Sequence, residues 1–364
     1  MTARPRWRLG LTLGLGILAL ASEAVLRLGL GLGDPVLVQA DPAMGYRFQP
    51  NQERRRFGRR IHYNQYSQRS EPPEQPRSPG TIRLLLTGDS VLNGGTPVDQ
   101  SQTIDAYLRR QWAAQGQRVE TLNASASSWG IGNQLAYLQT FGVFDSDLLL
   151  VFIGTHDLVQ PTSTQERVGH HPAYPERPPL LAWQELWTRY LWPRLVRVWR
   201  TWQPPSEIPV APEPERQVQA NLADLSRLVT LARQQAVPVG VVYTPDLTDV
   251  WGRDPHPPYK LRLQAQLQAL GVPLIDVHEA WRHRRWREVE PFFRDSVHLT
   301  PAGHAAIAHV IRAHLCWEPA LAAPLQEALC SARPAPSPPG PPEAATPPYL
   351  PWLASRLNPS LELF

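Results

Sequence analysis

Five short apolar runs, separated by segments of helical spacing, constrain this chain more than any other feature. They lie at 82–87, 119–123, 147–153, 237–243 and 272–277. The third reads Asp-Leu-Leu-Leu-Val-Phe-Ile and shows no polar alternation after its first residue, as a strand covered on both faces requires. Residues 104–113, 134–141, 217–235 and 260–270 read as helices, and 301–315 closes the series with Thr300 at its N-cap and Pro301 at N1. In 217–235 the apolar stripe is Val218, Leu222, Leu225, Leu228, Val229 and Ala232. Strands alternating with helices predict an α/β fold, a three-layer α/β/α sandwich around a central parallel sheet of about five strands.

The rest of the chain divides around that core. Arg4, Arg6 and Arg8 precede an uncharged, largely apolar run at 9–22. A positive segment ahead of an apolar one is an export signal, and Ala19-Leu20-Ala21 offers a cleavage site. The apolar pattern resumes after Glu23 and reaches Gly33, with Arg27 four residues from Glu23, so 9–33 is also long enough to span a bilayer. Residues 1–33 are therefore expected to be a signal or transmembrane anchor. Three arginines before the span favour a cytoplasmic N-terminus and a catalytic part on the extracytoplasmic side, or secretion if the signal is cleaved. Residues 34–80 are polar and read as an extended stalk, with strand-like fragments such as Ile61-His62-Tyr63. The main domain is expected at 81–330. An insertion at 158–214 interrupts it, where Trp183, Trp187, Trp192, Trp199 and Trp202 alternate with Arg189, Arg194, Arg197 and Arg200. Trp and Arg on one helix suit a membrane interface. They equally suit a helical pair, broken at Pro193, whose aromatics pack inward over a site.

Forty prolines cluster at 71–80, 172–179, 204–215, 255–258 and 334–348, which marks those stretches as loops and 331–364 as a proline-rich tail. Lys and Arg number 36 against 32 Asp and Glu, and Lys260 is the one lysine. That excess is too small for a nucleic-acid surface, and no nucleic-acid motif is present. Cys316 and Cys330 have no metal-ligand spacing; they can pair in an oxidising compartment.

Gly88-Asp89-Ser90 follows the first apolar run, and Asp295-Ser296-Val297-His298 precedes the last helix. Ser90 thus sits at the carboxyl end of a strand, where open parallel sheets bind ligands. Asp295, three residues before His298, can hold the imidazole in one tautomer. Ser90, Asp295 and His298 together make a relay for acyl transfer. Asp89 and Asp157 read as structural, bonding to loop backbone. His170, His171, His304, His309 and His314 read as surface or helix-face residues.

These blocks resemble the SGNH (GDSL-type) hydrolase family, and the stretch from about 81 to 315 carries the likeness. The resemblance implies that Ser90 is the nucleophile, with Asp295 and His298 completing the triad. The block Asn123-Ala124-Ser125-Ala126-Ser127-Ser128-Trp129-Gly130 corresponds to the one in which the family places a glycine whose N–H joins the oxyanion hole. Direct alignment puts Ser128 at that glycine; Gly130 lies two residues later and is the residue assigned here. Gly154-Thr155-His156-Asp157 looks like the family's Gly-x-Asn-Asp, with His156 where Asn stands. The implied oxyanion hole is Ser90, Gly130 and His156. The expected function is an exported serine esterase acting on O-acyl groups of glycans or lipids. Two alternatives stay open: an O-acyltransferase of the cell envelope using the same triad, and a degenerate carbohydrate-binding or assembly module. The relay needs no metal or cofactor. Expected partners are a small-molecule or glycan ester and a membrane reached through the N-terminal helix; oligomeric state is open.

Overall fold

The computed structural model describes residues 6–199, 213–251, 257–317 and 329–330, the side chains of 6–9 and 197–199 excepted. Five parallel strands form its centre: β5 (Ile82–Gly88), β6 (Val119–Ser125), β7 (Leu148–Gly154), β8 (Val239–Thr244) and β9 (Leu274–Asp276). Their order across the sheet is β6-β5-β7-β8-β9. Every residue of β5, β7 and β8 is buried, which is why these runs lack alternation. One face of the sheet packs Leu85, Leu149, Val151 and Val241 against Leu225, Leu228 and Val229. The other packs Leu84, Leu86, Leu150 and Phe152 against Leu108, Trp112, Ile307 and Ile311. The fold is the expected three-layer α/β/α sandwich.

The chain goes from β5 outward to β6 and then returns to place β7 on the other side of β5. Connections therefore leave β5 and β7 in opposite directions, opening a crevice at their carboxyl ends. Gly88 ends β5 and Gly154 ends β7. A Cβ on Gly88 would sit 2.9 Å from the Phe152 Cβ, so only glycine lets the two strand ends approach this closely.

The polar stretch expected as an extended stalk folds instead into two antiparallel hairpins, β1 (Val38–Asp41) with β2 (Gly45–Phe48) and β3 (Gln52–Arg56) with β4 (Arg59–Tyr63). Met44, Tyr46, Phe48, Ile61 and Tyr63 alternate inward and join the core on the face of the sheet that packs against Leu225 and Leu228. Just beyond β4, the buried Arg69 donates to the carbonyls of Asn93, Gly95 and Val98 at 2.5 Å each. That guanidinium fixes the loop that follows the first strand–turn.

Twelve α-helices are labelled among the described residues: α1 (Arg6–Leu30), α2 (Ser90–Asn93), α3 (Ile104–Ala113), α4 (Ile131–Phe141), α5 (Ala182–Glu185), α6 (Trp192–Trp199), α7 (Pro214–Gln234), α8 (Leu247–Trp251), α9 (Lys260–Leu270), α10 (Val277–Arg282), α11 (Trp286–Val289) and α12 (Pro301–Trp317). Helix α1 contains a 21-residue apolar stretch, Gly10–Leu30, long enough to cross a membrane, and only 6% of its apolar window is buried. Between α5 and α6 the chain makes a π-helical stretch, Leu186–Leu191. Pro193 follows that wider turn inside a continuing helix, so the helical pair expected to break at Pro193 does not form over the described residues. Trp183, Trp187 and Trp192 are about half exposed, so these aromatics do not pack inward. Residues 200–212, which include Trp202, and the proline-rich tail from 331 onward lie outside the described residues. Cys316 and Cys330 form a disulfide.

Candidate active site

Ser90 opens α2 at the carboxyl end of β5. Asp89 is the N-cap and accepts a hydrogen bond from the Val91 N–H at 2.9 Å. Ser90 is thereby turned out of the strand with its backbone N–H at the start of a helix, where it has no intrahelical acceptor. On the opposite wall, Thr300 begins α12: its Oγ1 accepts from the Gly303 N–H at 3.3 Å. The preceding loop is closed by an isolated bridge between Phe293 and Leu299. Asp295 Oδ1 accepts the backbone N–H groups of Val297 (2.9 Å) and His298 (2.6 Å), which curls the loop into a tight turn.

These two elements bring the three distant residues together. His298 Nε2 lies 3.0 Å from Ser90 Oγ, and His298 Nδ1 lies 3.0 Å from both oxygens of Asp295. Asp295 is 6% exposed and His298 23%. Burial alone would raise the Asp295 carboxyl. The hydrogen bond and charge of His298, with Arg294 beside it, instead hold it well below the usual carboxylate range. An ionised Asp295 fixes the proton of His298 on Nδ1 and leaves Nε2 to accept from Ser90.

His156 sits differently from its expected place in an oxyanion hole. Its Nε2 lies 3.0 Å from Asp89 Oδ2 and its Nδ1 lies 2.8 Å from Asp246 Oδ1. Asp157 Oδ1 is a further 3.6 Å from Nε2. Burial would strip the proton, but the charges of Asp157 and Asp246 and the hydrogen bonds to Asp246 and Asp89 win and raise its pKa well above 6.5. His156 is an imidazolium donating both N–H groups to carboxylates, with neither left for an oxyanion. The Asp157 carboxyl is also pushed up, well above the usual range, by burial and by the nearby Asp89 charge. Its Oδ2 accepts the Gly154 N–H at 2.7 Å, as expected of a structural loop residue. Gly154 is required, since a Cβ there would stand 2.6 Å from the His156 ring.

Asp89 does more than the loop role read from sequence. Its Oδ2 is also 3.1 Å from Ser90 Oγ. The hydroxyl proton therefore has two acceptors in reach, His298 and Asp89, and only one can take it at a time. Burial would raise the Asp89 carboxyl; His156 overrides that and lowers it. Asp89, His156 and Asp157 hold their ligand atoms within 4.8 Å of one another and could by proximity hold a cation. A doubly protonated imidazole has no lone pair for a metal, so a cation and the observed hydrogen bonding exclude each other.

Gly130 caps α4, and its N–H is spent on Asn133 Oδ1 at 2.9 Å. Ser128 has a φ of +58°, in the left-handed region that glycine normally fills. Its carbonyl accepts from Gln160 at 2.6 Å and from the Ser163 hydroxyl, which holds this unusual conformation in place. The ambiguity of register in this block thus has a structural counterpart, with Ser128 rather than Gly130 adopting the glycine-like backbone. Asp246 was missed by sequence reading, having no motif and lying 90 residues from its partner. His304, read as a helix-face residue, is fully buried, and burial with nearby positive charge lowers its pKa to about 3.

No curated protein matches the sequence. Among solved structures, TesA is 17% identical with a TM-score of 0.41, covering 66% of this chain and 99% of that one. An acetyl-xylooligosaccharide esterase from Geobacillus, Axe2, is 16% identical with a TM-score of 0.39, covering 64% and 94%. LAE5, from the metagenome of Lake Arreo in Spain, is 18% identical with a TM-score of 0.40 over the same shares. The model of the GDSL-like lipase/acylhydrolase family matches residues 86–306, a span that runs from the end of β5 past Asp295 and His298 into α12. By that match the chain belongs to the GDSL-like lipase/acylhydrolase family, and it is an ester-bond hydrolase with a serine nucleophile.

Proposed function

We propose that this hydrolase is a membrane-anchored, extracytoplasmic esterase that removes O-acyl groups from glycans or lipids, with Ser90, His298 and Asp295 as its triad. The observation that carries the reading is the unbroken chain of contacts from Ser90 Oγ through both ring nitrogens of His298 to Asp295. His298 Nε2 takes the Ser90 proton as Oγ bonds to the ester carbonyl carbon. Asp295 stabilises the imidazolium that results. His298 then returns the proton to the departing alcohol, and a water activated by the same nitrogen splits the acyl-enzyme into acid and free serine. The oxyanion is assigned to the backbone N–H groups of Ser90 and Ser128. The helix N-terminus supports the first, and the left-handed backbone at the family's glycine position supports the second. Gly130 and His156 are left out because their N–H groups already have acceptors. Export is supported by three arginines ahead of the apolar helix and by the Cys316–Cys330 disulfide.

The test is labelling with a fluorophosphonate, which reacts only with an activated serine. The parent should label and Ser90→Ala should not, with esterase turnover falling by roughly 10⁴-fold or more in the variant. A folded parent that stays unlabelled, or a Ser90→Ala variant that keeps its activity, would remove Ser90 from this role.

A further inference from the structure

Helix α1 ends beside a cavity of about 550 Å³ whose lining includes none of Ser90, Asp295 and His298. One wall is apolar, with Leu30 and Leu32 from the end of the helix and Leu186 from the π-helical stretch. The other carries Arg59, Arg194 and Arg294. Among the described residues no carboxylate lines it. Among the described residues neither Arg59 nor Arg194 has an ion-pair partner, and Arg294 Nη1 is buried without a hydrogen-bond acceptor. Glu185, at the end of α5, is already engaged by Arg56 and Arg189. The cavity therefore combines an apolar lining with two arginines that have no ion-pair partner among the described residues and a third, Arg294, that shares its guanidinium with Asp295.

Its position says where a ligand comes from. Leu180, Leu181, Trp183, Trp187 and Trp192 are exposed on the segment whose start, Leu180–Trp183, docks on the second half of α1. Trp183 is tied to that helix, its Nε1 donating to Ser22 Oγ at 3.0 Å. Exposed indoles at the end of an apolar helix lie at the headgroup level of a bilayer. We infer that this cavity binds one anionic phospholipid, its phosphate on Arg59, Arg194 and Arg294 and its first acyl carbons against Leu30, Leu32 and Leu186. The site adjoins the triad, because Arg294 Nε also donates to Asp295 Oδ2 at 3.1 Å. A headgroup would satisfy the remaining face of that guanidinium and so hold the triad loop in place. The inference rests on the reading of α1 as a membrane anchor.

The experiment uses the full chain in micelles doped equally with phosphatidylglycerol and phosphatidylcholine, with retained lipid counted by native mass spectrometry. Flotation with liposomes is measured beside it. One phosphatidylglycerol per chain should be retained in preference. The preference should fall about fivefold for each arginine lost in R59Q/R194Q and persist in R59K/R194K. An unchanged far-ultraviolet circular dichroism spectrum and a single cooperative melt in both variants establish that they fold. Equal retention of the two lipids by a chain that floats would overturn the site and spare the anchor reading. A preference that survives R59Q/R194Q would place the lipid elsewhere along α1. Retention of millimolar inorganic phosphate in place of the lipid would make this a site for a free anion. A chain that does not float would overturn both readings.

Discussion

His156 lies among three carboxyl groups in a buried site, and its charge and hydrogen bond hold the Asp89 carboxyl below the usual range there. His156→Asn restores the family's residue at this position, yet it removes the imidazolium that bridges Asp89 and Asp246. Breaking a buried pair in this way costs about 3–5 kcal/mol, which equilibrium denaturation will read. The pH dependence follows from the direction of the shift. His156 keeps its proton in the folded protein far above 6.5, while the unfolded chain releases it near 6.5. The stabilisation is therefore complete below about pH 6.5 and fades as pH climbs through the folded value. The stability gap between parent and His156→Asn should narrow toward alkaline pH; a constant gap would mean that the histidine acts through shape alone. Neither the clamp nor its partners were legible in the sequence. Gly154-Thr155-His156-Asp157 shows the histidine, but Asp246 comes from the end of β8 and carries no motif. Only the strand order brings it next to β7. Ser90, Asp295 and His298 were legible because each sits in a short motif beside a strong strand or helix signal.

Among the elements, those whose period matched their burial were read correctly. Ile104–Ala113 and Lys260–Leu270 carry the predicted bounds, and α7 and α12 differ from expectation by a few residues at their ends. The two hairpins were not read, since their strands are four or five residues long and rich in Gln and Arg. A period-two signal is present in Tyr46-x-Phe48 and in Ile61-x-Tyr63, the latter read as a strand-like fragment, but the polar neighbours hide the pairing into hairpins. The π-helical stretch before Pro193 was invisible because it depends on where the proline falls relative to the turn above it, and the indoles alone do not reveal that. At the far end, α12 carries Cys316, whose partner Cys330 follows the fully buried Leu329. Closing a loop with a sequence separation of 14 should stabilise the fold. Loops of that size correspond to about 3 kcal/mol. Reductant should therefore lower the denaturation midpoint of the parent, while a Cys316→Ser, Cys330→Ser pair should start from the lower value and ignore the reductant.

Across the whole molecule, the apolar helix and the globular part are joined without slack. Glu23 lies within α1, yet its carboxylate accepts the backbone N–H of Ala182 at 2.7 Å and of Trp183 at 3.3 Å. Arg27 of the same helix donates to the Leu180 carbonyl at 2.7 Å. Leu26, Leu32 and Ala182 form a small apolar cluster of their own. A chain begun at residue 34 loses this cap and cluster, but the sheet and the three catalytic candidates are untouched. Hydrolysis of a short water-soluble ester should stay within about twofold of the parent, and amide exchange should speed up at 180–199. Unaltered exchange there would show that the segment is held by the globular part alone.

Under the anchor reading proposed above, that joint would give the enzyme a fixed working height. A domain on a loose tether samples a volume set by the length of its linker. This one leaves its helix through Gly31, which donates to the Arg27 carbonyl at 3.0 Å, and Leu32, which donates to that of Leu26 at 3.0 Å. If α1 is embedded, the crevice of Ser90 faces a layer of constant distance and orientation above the bilayer. Esters lying within that layer are within reach at all times, and those further out are never met however abundant they are.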